Sequence, residues 1–283
     1  VTNVARKARL FAIGLLHMLL SQDKKFKPLI DPGRIRVSPD ASVKRIVFIR
    51  HGESEWNEVF NRGFGPSFIV RLVRALIREM IFLTSRDSVF FDSPLSETGI
   101  RQTQELIKFL QRAPPTDGSR DPRATEIVMA LRGGGGGDPG SGGSIASGGN
   151  GGGGGGDTAT VVLGTSNLRR AIVTGLVVLW ERLRRTREKF FVLSSLQEIT
   201  FNIDGVSLLE AGEVPDGELA KEMGAEVAFS GEFNGGTKGL GSNGYKRMLE
   251  FSEWASGRPE AVVVVTGHSL YFRAYFQVRG AER

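Results

Sequence analysis

An α/β fold, with three α/β/α layers around a mainly parallel central sheet, is predicted by two features of this sequence. Short apolar, β-branched runs recur along it, at Val43 to Ile49, Thr160 to Ser166, Phe190 to Leu193 and Ala261 to Val265. The segments between them place apolar residues at helical spacing. Strands alternating with helices build parallel sheets covered on both faces.

At 283 residues the chain is long enough for one large α/β domain or two small ones, and can bury a core. Its 37 Lys and Arg exceed 31 Asp and Glu, a mild surplus that suits anionic small molecules, lipid head groups or nucleic acid and selects none of them. Cysteine is absent, which excludes disulfides, thiolate metal sites and a thiol nucleophile. No apolar run approaches the ~20 residues of a membrane-spanning helix. The sequence begins at Val1 and stops at Arg283, soon after the His268 segment, so a fragment of a longer chain is expected.

Residues 1–25 join basic Arg6, Lys7 and Arg9 to an apolar stretch from Leu10 to Leu20. The pattern is similar to a signal peptide, but no small-x-small cleavage site follows, and a helix packed on the domain accounts for it equally. His17 is then a core or interface histidine without chemistry. Lys27 to Ser42 is rich in Pro, Gly and Asp and reads as a linker into the first strand.

From Phe68 to Thr84 the apolar residues Leu72, Val73, Leu76, Ile77, Met80 and Ile81 follow helical spacing, and Arg71, Arg74 and Arg78 share one face. Such a basic amphipathic helix has three readings: a cap offering arginine to an anionic substrate, a surface lying on acidic lipid, or a core helix with a wet charged face. Ser96 is the expected N-cap of a helix running to about Arg112. A Pro- and charge-rich segment follows. Residues 133–156, almost all Gly, bury too little apolar surface to order themselves and are expected to be disordered. They lack the Lys-Ser or Lys-Thr ending and following helix of a phosphate-binding loop. A helix from near Asn167 carries Arg169, Arg170 and Trp180, placing two guanidinium groups where a helix N-terminus already favours anions. Residues 204–244 are Gly- and acid-rich and read as irregular, and Tyr245 to Ser256 as a helix.

The chemistry gathers where apolar runs end. Val47-Phe48-Ile49 opens into Arg50-His51-Gly52-Glu53, and Ala261 to Val265 leads through Thr266-Gly267 to His268. In open parallel sheets ligands bind beyond the carboxyl ends of the strands. Neither HxH nor HExxH spacing is present, so no metal cluster is expected. Convergent Arg and His describe a phosphoryl-binding pocket, because guanidinium binds oxyanions in pairs of hydrogen bonds and neutral imidazole can attack phosphorus.

These residues resemble the histidine phosphatase superfamily, the phosphoglycerate-mutase-like proteins. Arg50-His51-Gly52-Glu53-Ser54-Glu55-Trp56-Asn57 is similar to its RHGE(S/T)xxN signature, Pro94 to Gly99 to its PLSxxG segment, and Ser166 to Ala171 to its SxLxRA segment. Thr266-Gly267-His268 resembles the segment at its second histidine. The resemblance implies a phosphoglycerate-mutase-like fold over residues 43–283, with a helical insertion near 60–90 and the Gly-rich insertion at 133–156. Residues 1–42 form an extension and linker. It further implies that His51 accepts the phosphoryl group, that Arg50, Arg170 and His268 surround it, and that Asn57 helps hold it. Glu198, in Leu196-Gln197-Glu198, matches the position of the family's proton donor. Ile199-Thr200-Phe201-Asn202 after Glu198 and Ser269-Leu270 after His268 depart from the mutase pattern. A phosphatase hydrolysing phosphomonoesters through phosphohistidine is therefore expected ahead of a mutase, or of a catalytically silent module that binds a phospho-ligand or membrane surface. No metal or organic cofactor is expected. The expected substrate is a phosphorylated small molecule or protein, with an acidic membrane surface as a further partner of the 68–84 helix and no nucleic acid. The expected location is the cytoplasm, free or membrane-associated.

Overall fold

The structure, a computed structural model, describes residues 2–24, 43–112, 122–133, 160–216 and 227–279. The expected linker at 27–42 and the Gly-rich insertion, Gly133 apart, lie outside the described residues. Five strands form one sheet: β1 (Arg45–Arg50), β2 (Val161–Ser166), β3 (Phe190–Leu193), β4 (Phe229–Ser230) and β5 (Val262–Gly267), in the order β1-β5-β2-β3-β4. Every pairing is parallel. The interior strand β5 is buried throughout and the edge strand β1 only at Ile49, so the continuous valine run belongs to a strand covered on both faces.

Alternation along the strands sorts the core into two faces. Val263, Val265, Phe191 and Leu193 face α8 (Gly244–Ser256) and α9 (Ser269–Arg279), through Met248, Phe251, Tyr271 and Phe272. Val262, Val264, Leu163 and Phe190 face the other side, against α4 (Glu97–Gln111), α5 (Pro122–Arg132), α6 (Arg169–Val178) and α7 (Trp180–Thr186). Helices on both faces of a parallel sheet make the three layers. Ser96 caps α4 as expected, its hydroxyl accepting from Gly99 N at 3.1 Å. Helix α5 falls in the segment read from sequence as merely Pro- and charge-rich. What orders it is tertiary: Val128 and Leu131 are buried in the cluster that holds Leu110 and Leu183.

Two further helices open the first crossover, from β1 to β2. The short α2 (Glu55–Phe60) continues directly from the His51 loop, and α3 (Pro66–Ile81) packs on it through Ala75, beside Val59 and Val89. Helix α1 (Thr2–Leu20) is more than an extension. Leu10 is buried with Phe91, Val206 and Leu208, and Gly14 lies so close to Ile203 that a Cβ there would stand 2.7 Å from its Cγ2. His17 is buried and bonds the Lys238 carbonyl at 2.9 Å, a structural role as expected.

Candidate active site

Four neighbouring strands deliver the site. His51 follows β1, His268 follows β5, Arg170 lies in the first turn of α6 after β2, and Glu198 follows β3 across a 3-10 turn at Ser194–Leu196. Adjacent strands stand ~4.8 Å apart, so residues distant in sequence meet at one sheet edge. The ligating atoms of His51, Glu198 and His268 all lie within 4.8 Å of one another, and the two imidazole centroids are 5.0 Å apart.

The loop holding His51 is fixed by its backbone. His51 N donates to Gly267 O at 3.0 Å, which extends the β1–β5 ladder by one residue. Gly52 N donates to Thr174 Oγ1 at 3.2 Å, and its carbonyl meets His51 Nδ1 at 2.5 Å. Burial first, then the Arg170 guanidinium, pushes the His51 ring down to about 3, so it is neutral near pH 7. A neutral ring facing a carbonyl through Nδ1 must carry its hydrogen there. Nε2 is then left with a free lone pair.

Glu198 Oε1 accepts from Ile199 N at 3.0 Å and Tyr271 N at 3.1 Å. Burial raises its pKa above the usual carboxylate range, against the pull of Arg170. His268, wholly buried, meets Ser166 Oγ through Nε2 at 2.9 Å, and burial with Arg170 beside it lowers its pKa well below the ordinary value. Arg170 is 2 % exposed, donates to Asp204 O at 2.9 Å and pairs with its carboxylate at 3.3 Å. Among the described residues, Arg170 Nε and His268 Nδ1 are buried polar atoms without a partner. Such atoms cost about 1–3 kcal/mol each when left unmet.

Arg50 and Asn57 share a cavity with His51. With Glu53, Asn61, Gln102 and Thr174 they line an open cavity of about 380 Å³ that reaches His51 but not Arg170, Glu198 or His268. The six expected site residues therefore form two groups joined at His51: a buried cluster and an exposed mouth. Arg50 is solvent-exposed, and Asn57 Oδ1 accepts from Asn61 Nδ2 at 2.9 Å.

Several expectations change. Arg169 does not join the anion site: it reaches away to Asp87 and to the carbonyls of Ser88 and Asp92. The anion at the N-terminus of α6 is the protein's own Asp92, whose carboxylate accepts from Arg169 N at 2.6 Å. The arginines of α3 do not line the cavity. Arg78 pairs with Glu55 and Arg71 bonds the carbonyls of Val59 and Gly63, so those two brace α2 and its loop instead of capping the site. A geometric metal set exists after all, because strand ends assemble what HxH or HExxH spacing would have shown. Two histidines and a carboxylate suit a divalent ion, yet Arg170 lowers the proton affinity of both imidazoles. A field that repels a proton repels a cation and favours an anion.

Sequence reasoning missed Thr174, Ser166, Asp204 and Glu53. Thr174 lies four residues beyond Arg170, so helical spacing could have found it; Ser166 lies inside a quoted motif. Asp204 comes from a stretch without periodicity. Glu53 turns out to be scaffold: Ser96 Oγ donates to it at 2.8 Å and Arg62 pairs with it. Despite the motifs, no protein-family model matches the chain and no curated protein matches it.

Proposed function

We propose that the protein is a phosphomonoester hydrolase that works through a phosphohistidine on His51. The observation that carries this reading is the state of His51: a neutral imidazole, its Nδ1–H held by Gly52 O, presents Nε2 beside a buried arginine and a carboxyl group of raised pKa. Nε2 attacks phosphorus and forms a P–N bond as the ester P–O bond breaks. Glu198, protonated, passes its proton to the departing oxygen. Water then attacks phosphorus, Glu198 takes up a proton, and the P–N bond breaks to release inorganic phosphate. Arg170 and His268 Nδ1 serve the phosphoryl oxygens from within, while Arg50 and Asn57 serve them from the mouth.

Incubation with a radiolabelled aryl phosphate is expected to leave an acid-labile label on the wild type. His51→Ala should lose both label and turnover; retention of either reverses the assignment. Glu198→Gln should slow turnover of a poor leaving group about 10²–10⁴-fold. The cluster of His51, Glu198 and His268 favours one rival, a metal centre. Stoichiometric zinc in the purified protein, lost with His268→Ala, would select it.

A further inference from the structure

Helix α3 turns its apolar residues the wrong way for a core helix. Phe68, Leu72, Ala75 and Glu79 face inward, whereas Ile69, Val73, Leu76, Ile77, Met80 and Ile81 lie on one outer face and are all exposed. Met80 and Ile81 each keep 69 % of their surface, and Phe64, just ahead of the helix, 79 %. The spacing is that of a single stripe, and a contiguous apolar surface of this kind marks a contact site.

Helix α1 meets the C-terminal end of α3 and the turn after it. Lys7 Nζ reaches Glu79 Oε1 at 3.3 Å and Phe82 O at 2.5 Å, and Asn3 donates to Thr84 O at 2.8 Å. It too leaves Phe11, Leu15, Met18 and Leu19 exposed, the last at 81 %. Among the described residues no helix is long and apolar enough to cross a membrane.

Charge identifies what covers this surface. Helix α1 has no acidic residue, and α3 has only Glu79, which is turned inward to Lys7, Ser88 Oγ and Val89 N. Arg74 and Arg9 are exposed on the two helices. A second copy of the chain would meet these cations with the same acid-free surface. An anionic bilayer offers both acyl chains and negative head groups.

We infer that the outer face of α3, with the exposed apolar residues of α1 at its C-terminal end, docks in the interfacial layer of an anionic membrane. Helix α3 packs on α2, which carries Asn57 and is capped at its C-terminus by Asn61, both of the cavity mouth, so docking sets that mouth one helix from the lipid. The inference stands apart from the hydrolase reading, since its readout needs no activity.

Flotation of the whole chain with phosphatidylcholine vesicles, with and without phosphatidylserine, tests it. Binding is expected with phosphatidylserine and to be much weaker without it. Arg74→Gln should weaken binding about fivefold, the equivalent of ~1 kcal/mol per basic residue near the surface. Ile77→Ser with Met80→Ser should abolish it, with the thermal midpoint unchanged because both side chains are exposed. Absence of flotation, flotation without regard to phosphatidylserine, or flotation that survives the double substitution overturns the inference. A dimer broken by that double substitution, in a protein that does not float, assigns the surface to a second copy instead.

Discussion

The protonation of His51 ties the proposed hydrolysis and the stability of the fold to one side chain. Its ring is neutral down to about 3, whereas in an unfolded chain the same group titrates near 6.5. Between those values the unfolded state binds a proton that the folded state refuses, so stability falls as pH drops below 6.5. For His51 alone the loss from pH 7 to pH 5 is about 2 kcal/mol. Buried Glu198 and Asp204, whose pKa values are raised by burial, act in the opposite direction, so the comparison must be by difference. Urea unfolding of the wild type and of His51→Asn at the two pH values should show the wild type losing more by about that amount. Equal losses would mean that the imidazole is not held neutral. The same groups set the pH dependence expected of the proposed hydrolysis. His51 must be deprotonated and Glu198 protonated, so kcat/KM should rise with pH through about 3 and fall again as pH passes the raised Glu198 value. The Glu198→Gln variant should keep the acidic limb and lose the basic one in a pH–rate series with an activated aryl phosphate.

Two loops must cross at close range for His51 to be presented at all. Glu55 N donates to Pro94 O at 2.9 Å and Ser96 N to Glu53 O at 2.9 Å, so the loop after β1 and the loop before α4 pair as a short antiparallel bridge. At their contact Gly52 and Gly99 lie back to back. A Cβ on Gly52 would come within 2.4 Å of Gly99 O, and one on Gly99 within 2.1 Å of Glu53 O. Backbone on both sides leaves nothing flexible to yield. Gly99→Ala should therefore cost about 1–3 kcal/mol, as overpacking does. It should also depress kcat/KM by displacing the Gly52 carbonyl that fixes the His51 tautomer. Gly63 makes the control. It sits at φ +86° with open space around it, so Gly63→Ala meets only backbone strain, about 1 kcal/mol, and should leave kcat/KM intact. Thermal midpoints and steady-state kinetics of the two variants separate the effects.

The sheet and the gathering of His51, Arg170, Glu198 and His268 at the carboxyl ends of its strands were legible because both rest on local pattern. Continuous β-branched runs mark buried parallel strands, and a His or Arg directly after such a run can only emerge at the strand's carboxyl end. What was not legible depends on contacts between distant segments: helix α5, ordered by Leu110 and Leu183; the inward Glu79 and outward Ile77 of α3; and the partner of Arg170, Asp204. The strongest such contact links the two ends of the molecule. Asp23, just past α1, accepts from Lys238 Nζ at 2.7 Å and Arg247 Nη1 at 2.5 Å, and from Thr200 N at 3.2 Å. Lys238 also donates to the Glu198 carbonyl at 2.7 Å, and Arg247 to that of Gln197 at 3.1 Å. Burial alone would raise the Asp23 pKa, but the hydrogen bonds and charges of Arg247 and Lys238 prevail and hold it below the usual range. A buried pair replaced whole is often neutral, yet removing one partner strands the other and costs about 3–5 kcal/mol. Asp23→Asn strands two cations, so the thermal midpoint should fall by roughly 6–20 °C. Because both cations grip the backbone at Glu198, kcat for a poor leaving group should fall more than kcat for an activated aryl phosphate, which needs little proton donation. Adding Lys238→Met should recover part of the stability, giving a double variant less damaged than the sum of the singles. Simple additivity would show that Asp23 and Lys238 act independently, and would remove α1 from the support of Glu198.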